Sequence, residues 1–151
     1  MDGLDVLYLA RYDGNRPLRL TANIGDRFPA TCTATGKALL ANLDPAVLRD
    51  RLSRVTGLPV LTPRSITSVP DLLTELEQVR RQGWAADDEE TTTGVTCLAI
   101  AVGQEAVPAR FAVSVTVLTS RLGRDLSRED LLHELFALRK GLASPLEPHA
   151  G

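Results

Sequence analysis

Cysteine and histidine are scarce in this chain: Cys32 and Cys97, His133 and His149, in 151 residues. Neither cysteine has a second Cys or a His at metal-ligand spacing, so neither a metal site nor a cofactor is expected. No positively charged, apolar leader opens the sequence, and without an export signal a disulfide is not expected either. The thiols read as small buried residues. A thiol nucleophile would need a base beside it, and neither His133 nor His149 lies in a recognisable catalytic context, so the chain is not read as an enzyme. No apolar run approaches the roughly 18–20 residues of a membrane span, and a cytoplasmic location away from any membrane is the expectation. A basic cluster is also missing. Seventeen Lys and Arg against nineteen Asp and Glu give a net charge of −2, with the arginines scattered. Nucleic-acid-binding domains carry a basic face; this chain alone is not expected to hold DNA.

What is present suits a single domain over residues 1–151. The composition is 44% hydrophobic and 24% charged, and a chain of this size buries about 68–70% of its unfolded surface. Leu4–Tyr12 alternates like a strand, with Val6, Tyr8 and Ala10 on one side. Asp13-Gly14-Asn15 is turn chemistry, and Pro17–Ile24 follows as the second arm of a hairpin. Residues 25–33 read as a loop, after which a helix starts with Thr35 as N-cap. Asp44-Pro45 opens a second helix, with Leu48, Leu52 and Val55 at helical spacing. After a loop over 57–66, Ser68 caps a third, whose stripe is Leu72, Leu76 and Val79 and whose stop is Gly83. Strands follow at 84–88, 95–102 and 110–119, the last two joined as a hairpin. A final helix begins at Ser127, places Leu131, Leu135, Leu138 and Leu142 on one face, and is stopped by Pro145. Strands grouped at both ends argue an α+β fold with a largely antiparallel sheet.

The last two long strands share a pattern. Phe111, Val113, Val115 and Val117 alternate with Ala112, Ser114 and Thr116; Leu98, Ile100 and Val102 alternate with Cys97, Ala99 and Ala101. With a period of two, each strand has a bulky face and a small one. The small face suits either a closely packed helix or subunit, or a ligand pocket lined by a few hydroxyls. Beside it lies an acid run, Asp87-Asp88-Glu89-Glu90. Asp87 reads as a pocket acceptor, or a neutral donor if burial raises its pKa. Asp88, Glu89 and Glu90 read as solvated or paired with arginines, Lys37 as reaching solvent, Gly94 as a backbone requirement and Trp84 as core or interface.

Two stretches, "FPATCTATGKALLANL" (28–43) and "VRRQGWAADDEETTTGVTCLAIAV" (79–102), followed by a strand with alternating small hydroxyl residues, resemble the effector-binding domain of IclR-type bacterial transcriptional regulators. The resemblance spans essentially the whole chain. It implies a GAF-like α+β fold, a curved and mainly antiparallel sheet flanked by helices. It also implies a small organic effector, a carboxylate or aromatic acid, and a homo-oligomer, dimer or tetramer. DNA would be reached only through an N-terminal winged helix-turn-helix domain that these residues do not include. By motif, the ligand-facing positions are Leu20, Phe28, Ala34, Thr35, Gly36, Asp87, Cys97, Ser114 and Thr116. The backbone amides of Thr35, Gly36 and Lys37 would offer an anion site at a helix start. Thr31, Cys32, Thr35 and Thr116 depart from the residues usual at their positions, so no particular relative's ligand carries over. An interaction module without a ligand, or a Cys-dependent enzyme, are the alternatives.

Overall fold

The computed structural model describes residues 3–12, 23–103 and 109–143. The elements run β1 (Asp5–Leu7), β2 (Arg27–Pro29), α1 (Ala34–Ala41), α2 (Pro45–Ser53), α3 (Val69–Gln82), β3 (Ala85–Asp88), β4 (Val95–Val102), β5 (Phe111–Leu118) and α4 (Arg128–Ala143). They form two antiparallel sheets, β1-β2 and β3-β4-β5. The fold is α+β, as the grouping of strands predicts.

Local chemistry explains most boundaries. Asp44 Oδ1 accepts the amides of Ala46 and Val47, and Pro45 follows at the first helical position. Ser68 Oγ accepts Asp71 N, and Gly83 closes α3 at φ 80°, a left-handed conformation only glycine adopts freely. Ser127 Oγ accepts Asp130 N at the start of α4.

Two expectations are corrected. Residues 25–33 are not all loop, because Arg27–Pro29 pairs with Asp5–Leu7. The first strand is accordingly three residues long. The cap of α1 is Thr33, whose Oγ1 accepts Gly36 N at 3.1 Å, and Thr35 lies inside the helix. Leu131, Leu135, Leu138 and Leu142 lie on one face of α4 as expected, with Leu135 buried and Leu138 and Leu142 exposed. The predicted turn at 13–15, most of the strand over 17–24 and Pro145 lie outside the described residues.

The strand faces are as the period of two requires. In register, Asp87 faces Cys97 and Cys97 faces Thr116. In the next row Ala85 faces Ala99 and Ala99 faces Ser114. This small face turns toward α1 and α3, whose Ala38, Leu72 and Leu76 share one core with Ala85 and Ala99. The opposite face sends Leu98, Ile100, Val113 and Val115 against Leu131, Leu135 and Phe136 of α4.

Candidate functional site

The small face is not sealed by apolar packing alone. Tyr8, following β1, stacks edge-on against Phe28 of β2, with ring centroids 5.6 Å apart. Its phenol lies near Thr35, Cys97 and Asp87; burial first and then the Cys97 and Asp87 charges push its pKa up, while the Thr35 hydroxyl draws it down. That proximity stops short of hydrogen-bond geometry. Thr35 Oγ1 is buried without a partner among the described residues. A buried hydroxyl left unpaired costs about 1–3 kcal/mol, and a bound polar group would remove that cost.

Below this lid the strands present a row of short polar side chains. Cys97 Sγ and Thr116 Oγ1 are in hydrogen-bond contact across β4 and β5. Burial pushes the Cys97 thiol up to about 11, with Asp87 adding to the rise against the Thr116 hydroxyl. Ser114 is half-buried one row along. Asp87 ends the row at 5% exposure. Its Oδ1 accepts Glu90 N at 2.7 Å and Thr91 N at 3.1 Å. Burial raises the Asp87 pKa against the pull of those bonds and of Lys37. The sequence places Asp87 at a site mouth; the structure adds that the same carboxylate ties the acid turn together.

That turn is itself built, not merely solvated. Glu89 takes φ 67°, a left-handed conformation uncommon outside glycine. Its carboxylate accepts Gly94 N at 2.8 Å, and Gly94 also needs positive φ, at 80°. Ser65 Oγ donates to the Glu90 carbonyl at 2.7 Å and Thr62 Oγ1 to the Glu89 carbonyl at 2.7 Å. Thr91 Oγ1 donates to the Cys32 carbonyl at 3.0 Å. Asp88 pairs with Arg128, whose guanidinium lies over the Trp84 ring on the other side of the sheet.

Two expectations about charge fail here. Lys37 does not reach solvent: it is 1% exposed and pairs with Glu90 and with Glu75. Glu90 is correspondingly buried, not solvated. The anion site expected at the start of α1 is also largely spoken for. Gly36 N is taken by Thr33 Oγ1 and Lys37 N donates to the Thr33 carbonyl at 2.9 Å.

Of the ligand-facing positions expected from sequence, the fold brings Thr35, Asp87, Cys97 and Thr116 together, with Phe28 beside them through Tyr8 and Ser114 in the adjoining row. Ala34, the first residue of α1, is buried in the apolar core. Gly36 serves packing: a Cβ there would stand 2.2 Å from the Ala30 backbone. Leu20 lies outside the described residues. Sequence reasoning missed Tyr8, which alternation alone could assign to a face but not to a neighbour. It also missed the Lys37–Glu90 pair, although the helix TGKALLA, apolar all round its lysine, was a usable signal of burial.

Elsewhere, a surface groove is lined by residues 122–130. Among the described residues there is no cluster of three metal-ligating side chains, and no helix long and apolar enough to cross a membrane.

Comparison with known proteins agrees with this geometry. The sequence matches the family described as bacterial transcriptional regulator IclR C-terminal over residues 1–140. It is 34% identical to the HTH-type transcriptional regulator XynR of Escherichia coli, over 96% of this chain and 58% of that protein. It is 31% identical to the Pca regulon regulatory protein of Pseudomonas putida, over 97% of this chain and 50% of that protein. The chain thus spans between half and three-fifths of the length of these relatives. The crystal structure of a double mutant of the Acinetobacter PobR inducer-binding domain, complexed with 3-hydroxybenzoic acid, superposes with a TM-score of 0.83 at 27% identity, covering 97% of this chain and 85% of that one. Sheet order, strand faces and this family match lead to one conclusion: the chain belongs to the IclR C-terminal family of bacterial transcriptional regulators, as an effector-binding domain.

Proposed function

We propose that the chain senses a small aromatic or aliphatic carboxylic acid, held between the Tyr8–Phe28 pair and the start of α1 on one side and the small face of the sheet on the other. The observation that carries this reading is the buried, unpartnered Thr35 Oγ1, close to the same Tyr8 phenol that feels Cys97 and Asp87. Thr35, Ser114, Thr116 and the Cys97 thiol supply neutral donors, Asp87 an acceptor or, when protonated, a further donor. Phe28 and Tyr8 supply apolar surface for a ring. The 3-hydroxybenzoic acid of the PobR complex is a ligand of this chemical class and a natural first probe.

The domain binds and does not catalyse. A nucleophilic cysteine needs a depressed pKa, and burial drives Cys97 the opposite way. In the whole regulator, effector would favour one arrangement of a homo-oligomer, and that bias would reach DNA through N-terminal winged helix-turn-helix domains.

Thermal unfolding of the chain against a panel of hydroxybenzoates and short carboxylates tests the reading. A ligand at 100 times its Kd adds about 2.7 kcal/mol of stability. The rise should appear in the parent and vanish in a Ser114→Ala/Thr116→Val double variant. A rise of equal size in both proteins would move the ligand to another surface.

A further inference from the structure

Behind the wall just described, next to Asp87, lie charges that the proposed site does not use: Glu90, Glu75 and Lys37. Glu75 and Glu90 both pair with the ammonium of Lys37, whose charge also reaches Asp87, the carboxylate bound to Glu90 N. Lys37 is on α1, Glu75 on α3, and the other two are in the acid turn. The Lys37 side chain is 1% and that of Glu90 9% exposed. One Glu90 oxygen, Oε1, meets Lys37; the other, Oε2, is buried with no partner among the described residues. A buried carboxylate oxygen without a donor is costly while charged and far less so once its group carries a proton. Among the described residues, Tyr8 after β1, Cys32 ahead of α1 and Cys97 on β4 also feel Asp87, and Cys32 feels Glu90 as well; none of these three supplies a positive charge.

On the effector reading above, an acid enters as an anion against Asp87. It would bring a fourth carboxylate to one buried ammonium. Like charges crowded out of water do not all stay ionised. We propose that Glu90 and Lys37 make this site proton-linked: an anionic effector is taken up together with one proton from solvent, held on the Asp87–Glu90 carboxyl pair, whereas a neutral ligand of the same shape enters without one. The event balances as one anion and one proton bound, with no covalent bond made or broken. Glu90 acts as a positioning residue behind the ligand. Its own burial pushes its pKa up to about 7, against the pull of Lys37, which leaves the proton available in the neutral range.

The test has a ligand-free arm and a ligand arm. In the first, carboxyl carbon NMR of the 151-residue chain follows Asp87 and Glu90 with pH. At least one of the two should keep its proton beyond about pH 6, well above the ordinary carboxylate range. If both titrate within that ordinary range, the proposal is overturned whatever binds. In the second arm, calorimetry compares 3-hydroxybenzoate with the neutral 3-hydroxybenzamide, in buffers of differing ionisation heat. The Kd of the acid should rise about threefold to tenfold between about pH 7 and 8, tenfold being the limit for one whole proton, and the amide should be unmoved. Glu90→Gln should flatten the acid's pH profile while retaining binding. An acid profile that is flat in the parent, or equally steep in Glu90→Gln, contradicts the proposal. Binding of neither compound overturns the effector reading instead, and the NMR arm then decides the proton question alone. It also does so if Glu90→Gln fails to fold.

Discussion

Strands β4 and β5 present two faces to two different helices. Toward α4 they offer Leu98, Ile100, Val113 and Val115, met by Leu131, Leu135 and Phe136. Toward α1 they offer Cys97, Ala99, Ala101, Ala112, Ser114 and Thr116, of which Cys97, Ala99, Ala101 and Ala112 share a core with Ala38 and Leu40 of the helix and with Tyr8 and Phe28. One face fills its space with branched hydrocarbon; the other keeps hydroxyls, a thiol and a buried carboxylate in register. The same backbone thus separates two duties. The α4 side is closed by apolar side chains, whereas the α1 side combines the larger apolar core, which takes in Ala85 and Ala99, with polar groups whose hydrogen bonding is incomplete.

The sharpest way to break this contrast is a cavity on the apolar side. Ile100→Ala, at a fully buried position, should cost about 2–5 kcal/mol in urea unfolding and leave the effector Kd of the folded protein unchanged. A change in Kd as large as that of a small-face variant would show that the faces are not separable. On the other side, Gly36→Ala should cost about 3 kcal/mol, the upper end of overpacking, because its Cβ would fall on the backbone of Ala30. Here affinity should weaken together with stability, since α1 would be lifted from the sheet.

Acid titration sharpens the comparison further. Glu90 has its folded pKa at about 7 against an ordinary 4.5. Between those values the folded chain holds a proton that the unfolded chain has lost. Stability should therefore be fully present below about pH 4.5 for this group, fall as pH rises toward about 7 and level off above, by about 3 kcal/mol at most. In Glu90→Gln that part of the slope should disappear from the pH dependence of Tm. Ile100→Ala should keep it. Smallest in stability is Ser114→Ala, within about 0.5 kcal/mol as for a site outside the sealed core, yet it should weaken effector binding by the hydrogen bond it removes, about 0.5–1.5 kcal/mol.

Much of this was legible from the residues. The α3 stripe, its Ser68 and Gly83 ends, and the small and bulky faces of β4 and β5 depend on spacing and local capping, which a sequence carries openly. Two threonines placed two apart, Thr33 and Thr35, both suit a cap; only the closed turn, with Gly36 N on Thr33 Oγ1, decides between them. Strand β2 is three residues ending in proline, too short for any alternation to register. The Lys37–Glu90 pair joins positions 53 apart, and Thr62, Ser65 and Cys32 reach the acid turn from separate loops. Such contacts exist only once the chain has closed, so charge in the sequence read as solvated where the fold buries it.

The most direct test of the account is the structure of the chain bound to 3-hydroxybenzoate. Ligand should lie between Tyr8 and the Cys97–Thr116 row, with a polar atom on Thr35 Oγ1 and the carboxyl end within reach of Asp87. Ligand seated instead in the groove lined by residues 122–130, with Thr35 Oγ1 still unpartnered, would contradict it.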